Sequence, residues 1–215
     1  MDLGLRGRRV AILATDGVEQ VELEEPRRVL DAAGAITHLV APEEGSIQAM
    51  IHDEKGARIP VDRILADVRP SDYDALLLPG GVGNPDRLRT NERAVQFVRE
   101  FMLADKPVAA ICHASWMLVE ANAVAGRTLT SWPSLQTDIR NAGGDWVDEA
   151  VRVDDRLITS RKPDDLPAFC AAIVKEFALA IEVDERPELG GGQSFPASDP
   201  PPGPTAIGGE GAAKT

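Results

Sequence analysis

The chain has 215 residues, 43% of them hydrophobic and 27% charged, the make-up of one ordinary globular domain with a full-sized core. A formal net charge of −12, basic residues spread along the chain and only 4% aromatics argue against nucleic acid or an anionic membrane as partner. Cys112 and Cys170 are too far apart for a CxxC pair and too few for a disulfide framework, and no apolar run reaches the length of a membrane span or a signal-peptide core. No metal is expected, and a reduced thiol in a cytoplasmic protein is.

In chain order, residues 8–15 read as a buried strand ended by Asp16-Gly17. From Val18 the spacing of Val21, Leu23, Val29, Leu30 and Ala33 predicts a helix closed by Gly34. Residues 36–40 form a second strand, so the chain opens as a βαβ unit with a largely parallel sheet. Residues 43–62 are polar and turn-rich, which predicts short antiparallel strands, and 63–70 a short helix or turn. A central strand at 73–78 ends in the turn 79–85, and 92–104 is an amphipathic helix with Ala94, Val95, Val98 and Phe101 inward.

A short apolar strand then ends at Cys112, and a helix follows at once to about Ala121. The remaining expectations are a strand at 128–131, a helix over 134–142 capped by Ser134, strands at 146–153 and 157–160, and a last helix over 164–179 capped by Asp164 or Asp165. The folded domain is expected to span 1–185, and the Gly- and Pro-rich segment 186–215 to be a disordered tail.

In an open parallel sheet the ligand crevice lies outside the C-terminal strand ends. Three of the turns there bring useful groups: Glu19, Gly80-Gly81 and Cys112-His113. A thiol at a strand-to-helix turn faces free N–H groups that favour a thiolate or an oxyanion. Each of these residues also has a plain structural reading. Cys112 reads equally as a buried core thiol, the glycines as a simple turn, Glu19 as a solvated first-turn residue and Asp86 as a loop residue. His38 and His52 read as ordinary strand or loop histidines, and Cys170 as core packing. No GxGxxG or GxxxxGK[ST] motif occurs, so no cofactor is expected.

The stretches 16–23 (DGVEQVEL), 73–81 (YDALLLPGG), 106–113 (KPVAAICH), 126–131 (GRTLTS) and 159–169 (TSRKPDDLPAF) resemble the PfpI intracellular protease-like family, within the class I glutamine amidotransferase-like superfamily. The resemblance covers roughly residues 8–180 and implies a flavodoxin-like three-layer sandwich, a mostly parallel sheet with helices on both faces. It further implies Cys112 as nucleophile, His113 beside it, Glu19 as the acid that hydrogen-bonds the thiol, and N–H groups of Gly81 and His113 as oxyanion hole. Asp86 falls where protease-type members carry an acid that reaches a neighbouring subunit's histidine, which implies a homo-oligomer.

One departure is Cys112-His113-Ala114-Ser115 where the family reads Cys-His-Gly-Pro. Ala114 disfavours positive φ, and Ser115 brings a hydroxyl toward the pocket. Adjacent residues in a tight turn usually diverge, which argues against direct Cys112–His113 contact within one subunit. The resulting expectation is a cofactor-independent cysteine enzyme acting on reactive carbonyls such as methylglyoxal or their protein adducts. Its alternatives are an oligomeric cysteine peptidase and a redox-sensing stress protein or chaperone.

Overall fold

A computed structural model describes residues 4–184; the expected tail lies outside the described residues. The strands and helices run β1 (Arg9–Leu13), β2 (Val18–Glu19), α1 (Gln20–Ala32), β3 (Ile36–Ala41), β4 (Ser46–Ile51), β5 (Glu54–Pro60), β6 (Arg63–Ile64), β7 (Ala75–Leu78), α2 (Gly83–Leu88) and α3 (Glu92–Leu103). They continue with β8 (Val108–Ile111), α4 (Ser115–Glu120), β9 (Thr128–Leu129), α5 (Gln136–Asn141), β10 (Asp145–Trp146), β11 (Val151–Asp154), β12 (Leu157–Ser160) and α6 (Leu166–Asp184).

Seven strands form the main sheet in the order β11-β12-β8-β7-β1-β3-β6, and only the β11–β12 edge pair is antiparallel. Every residue of β7 and β8 is buried, as strands covered on both faces require. Alternation splits their side chains between two cores. Ile12, Leu77, Ile111 and Ile158 meet Leu23 and Leu30 of α1 and Phe169, Ile173 and Phe177 of α6. Leu13, Leu76, Val108 and Ala110 meet Val98 and Phe101 of α3, Met117 and Leu118 of α4 and Ile139 of α5. This is a flavodoxin-like three-layer α/β sandwich.

Several boundaries differ from the sequence reading, each for a local reason. The first helix starts at Gln20 because Val18 and Glu19 pair with Ala49 and Met50 of the hairpin β4–β5, forming a separate three-stranded sheet. Residues 63–64 are an edge strand on β3 before a single 3₁₀ turn. The strand expected at 128–131 is cut to β9, which pairs with β10 outside the main sheet. There the Thr130 N–H donates to the Thr159 side chain at 3.0 Å instead of continuing a ladder.

Pro133 starts a 3₁₀ turn ahead of α5, and Ser134 forms no cap. Asp165 likewise caps nothing: it closes a 3₁₀ turn, and its carboxylate takes Arg161 at 2.9 and 3.0 Å.

The turn after β7 is held from inside. Asn84, 1% exposed, accepts the Thr15 N–H at 2.8 Å and donates to the carbonyls of Pro79 and Gly80 at 2.8 and 3.2 Å. One side chain thus ties the ends of β1 and β7 together. Asn84→Ala leaves the Thr15 N–H and the Pro79 carbonyl without this partner, while the Gly80 carbonyl keeps the Glu19 N–H, and is expected to lower unfolding stability by about 2–4 kcal/mol in urea titration. A loss under about 1 kcal/mol would show that water replaces the amide.

Candidate active site

The turn after β8 forces Cys112 into the left-handed region, φ +61°, which is uncommon for a residue with a side chain. Its carbonyl accepts the Trp132 N–H at 3.2 Å, and the 3₁₀ turn Cys112–Ala114 leads directly into α4. The N–H groups of His113 and Gly81 both hydrogen-bond the thiol. Gly81 itself has φ +80°, and a Cβ there would collide with the Gly17 carbonyl and stand 2.6 Å from the Glu19 nitrogen, so only glycine fits.

His113 Nδ1 lies 3.2 Å from Cys112 Sγ, so the neighbouring residues do meet within one chain, contrary to the divergence expected of a tight turn. The ring is held by two indoles. Trp132 stacks on it, with centroids 5.6 Å apart and planes at 25°, and Trp116 lies tilted at 5.3 Å. Trp116 is fixed in turn by its Nε1–H donating to Asp138 at 2.8 Å, with the Arg89 guanidinium over its face. Burial pushes the His113 pKa below the ordinary imidazole value, which keeps a neutral ring beside the thiol.

The carboxyl beside the thiol belongs to Glu22, not to Glu19. Glu22 is fully buried in the first turn of α1; its Oε2 accepts the Gly80 N–H at 3.1 Å, and its carboxyl interacts with Cys112. Oε1 has no partner in hydrogen-bond geometry among the described residues. Glu19 lies in the same cavity, but its carboxylate accepts the His52 N–H at 3.1 Å. The physical reason is helical phase. Glu19 precedes the helix, whereas Glu22 shares the inward stripe with Leu23, Pro26 and Leu30. A glutamate on a buried stripe was the available signal, obscured because Val21, which belongs to the apolar spacing that predicts the helix, is 40% exposed.

Burial raises the Glu22 pKa to about 8, against the opposing hydrogen bonds from Cys112 and the Gly80 and Gly81 N–H groups and with a further push from Glu19. Burial first, and then the Glu22 charge, push the Cys112 thiol up as well, so the resting thiol is protonated rather than a ready thiolate. The pair titrates as a unit.

Asp86 is exposed on α2 and does not line the cavity. Ala114, with φ −59°, needs no glycine, and the Ser115 hydroxyl is buried without a partner among the described residues instead of facing the cavity. The family departure therefore leaves the backbone of the turn unstrained at both positions. The cavity, about 570 Å³, is walled by Glu19, Glu22, Cys112 and His113, by Met50, His52 and Asp53 of the hairpin, and by Arg87 and Trp132. Among the described residues no cluster of three His, Cys, Asp or Glu is suited to a metal, and no helix is long and apolar enough to cross a membrane.

The family model described as DJ-1/PfpI matches residues 8–176. The chain belongs to the DJ-1/PfpI family. It is 42% identical to General stress protein 18 of Bacillus subtilis over 76% of this chain and 94% of that protein. It is 42% identical to Protein/nucleic acid deglycase 2 of Escherichia coli, over 75% and 93% of the two chains. The crystal structure of Drosophila melanogaster DJ-1beta superposes with a TM-score of 0.73 at 27% identity, over 82% of this chain and 95% of that one. The relatives of this chain thus include a stress protein and a deglycase by name.

Glu22 gives the site a pH signature. Unfolded, its carboxyl titrates near the ordinary 4.5; folded, near 8. Between these values the folded state keeps a proton that the unfolded state has lost, so the contribution of protonated Glu22 is full below about 4.5 and is lost as pH rises through about 8. The loss is on the order of 5 kcal/mol. Glu22→Gln is expected to flatten this decline and to melt higher than wild type at about pH 8.5 in thermal denaturation. An unchanged pH slope would mean that the carboxyl is solvated.

Proposed function

We propose that this protein is a cofactor-independent cysteine enzyme acting on reactive carbonyls such as methylglyoxal, or on their adducts with proteins, in the manner of a deglycase or glyoxalase. The single observation carrying this reading is the meeting of a thiol, a neutral imidazole at 3.2 Å and a carboxylic acid in one cavity of one chain. His113 takes the thiol proton as Sγ attacks the aldehyde carbon, and the new oxyanion receives the N–H groups of Gly81 and His113. Glu22, protonated below about 8, returns a proton to that oxygen.

For methylglyoxal the Cys112 hemithioacetal then loses its C1 proton and regains one at C2, giving a lactoyl thioester that water cleaves to lactate and free thiol. No net oxidant or reductant is required. The relatives support the reading by name, one as a stress protein and one as a deglycase.

The peptidase reading places its weight on Asp86, which is exposed on α2 and would have to reach a histidine of a second copy. It needs a homo-oligomer, which we include in the proposal. The redox-sensor reading needs an accessible low-pKa thiol, whereas burial pushes Cys112 up.

The test is conversion of methylglyoxal to lactate in metal-free buffer. Wild type is expected to turn over and Cys112→Ser to lose activity by at least about 10³-fold. Turnover that survives in Cys112→Ser overturns the mechanism. Asp86→Ala separates the two hydrolytic readings: it is expected to abolish cleavage of fluorogenic peptides while lactate formation persists, and equal loss of both would remove the distinction.

A further inference from the structure

Among the described residues one arginine, Arg87, lines the cavity, and it is paired with no carboxylate there. In this it resembles Arg58, Arg63, Arg93 and Arg99, which also bond backbone carbonyls. Arg27, Arg28, Arg89, Arg127, Arg152 and Arg161 each reach an aspartate or glutamate. Arg87 instead donates through Nη1 to two backbone carbonyls, Asp16 at 2.8 Å and Gly83 at 3.2 Å. Its Nη2 and Nε donors have no partner among the described residues, so one edge of the guanidinium fork is free.

The guanidinium lies close against two glycines: a Cβ on Gly17 or on Gly83 would stand 2.7 Å from Nη1. The same Gly17 packs its carbonyl against Gly81, whose N–H faces the thiol. Arg87 is thus fixed next to the backbone that forms one wall of the reaction centre. The nearby acids are turned elsewhere: Asp16 accepts the Gln48 N–H at 2.7 Å and Glu19 the His52 N–H at 3.1 Å. Arg87 is solvent-exposed, but a guanidinium held at Nη1 with its other edge free at a cavity wall can take a carboxylate or phosphate oxygen pair.

We propose that Arg87 forms an anion-binding subsite of this cavity, so that the site prefers small aldehydes and ketones that carry a carboxylate or phosphate. The proposal rests on Cys112 as the group that adds to carbonyls. Addition is reversible: an S–C bond forms, the carbonyl π bond breaks, and the thiol proton ends on oxygen. An aldehyde held this way protects Cys112 from alkylation.

The experiment measures the concentration of each aldehyde that halves iodoacetamide labelling of Cys112, read by mass spectrometry of its peptide. Each value is normalised to hemithioacetal formation with 2-mercaptoethanol. Succinic semialdehyde is compared with butanal for the carboxylate, and glyceraldehyde 3-phosphate with glyceraldehyde for the phosphate.

In wild type the anionic member of at least one pair is expected to protect at about tenfold lower concentration. The pair that shows the difference identifies the anion. In Arg87→Gln that ratio is expected to fall to near one. A wild-type ratio near one in both pairs, or a ratio that survives in Arg87→Gln, overturns the subsite. If Arg87→Gln does not fold, Arg87→Lys serves. Loss of the fork is expected to cut the ratio by about threefold, and no change overturns the proposal. A preserved anion preference without methylglyoxal turnover overturns the catalytic reading and leaves the subsite. Turnover with no preference does the reverse. No protection by any aldehyde overturns both.

Discussion

The structure depends on a thiol held where neither water nor an ordinary backbone conformation would put it. Cys112 has a positive φ at the end of a fully buried strand, 6% exposed, with a buried glutamate on one side and an imidazole on the other. Each of these features costs free energy. A side chain in the left-handed region costs on the order of 1–2 kcal/mol, and a buried carboxyl loses its hydration. They persist because the two cores fix β7 and β8 from both faces, and because Asn84 and Trp132 bind the turns that follow those strands.

Glu22 and Cys112 repel each other when both are charged, and burial penalises the charge on either. The pair is therefore most stable as acid and thiol; in the proposed reaction a proton moves from sulfur to the adjacent His113. A neutral imidazole stacked between two indoles is suited to accept that proton, since its orientation is set by packing instead of by a carboxylate partner. The same stacking places Trp132, 37% exposed, at the cavity wall.

The hairpin β4–β5 and the helix α2 complete the cavity from opposite sides. The hairpin is joined to the body through β2 and through the side chain of Gln20, whose Oε1 accepts the Ala57 N–H at 2.8 Å. It carries Met50, His52 and Asp53 into the cavity, while α2 carries Arg87. Neither element belongs to the seven-stranded sheet. Substrate choice can therefore change on these parts without disturbing the strands that hold the thiol.

The sequence by itself determined the layer architecture, because apolar runs too short for helices alternate with 3.6-residue patterns and can be buried only as a parallel sheet between helices. It also placed Cys112 at a strand-to-helix turn outside the C-terminal strand ends, since a strand stopping at a thiol before a helix can be read along the chain, although the same residues read equally as a buried core thiol. Tertiary structure decided which acid faces that thiol. Glu19 and Glu22 differ by three positions, and only the pairing of Val18-Glu19 with β4 sets the phase that turns Glu22 inward. It decided the Cys112–His113 contact too, through the positive φ of one residue and the two tryptophans that hold the ring, the second of which is 20 positions along the chain. Local pattern reports which face of an element is apolar; the contacts between elements fix where its few polar atoms end up.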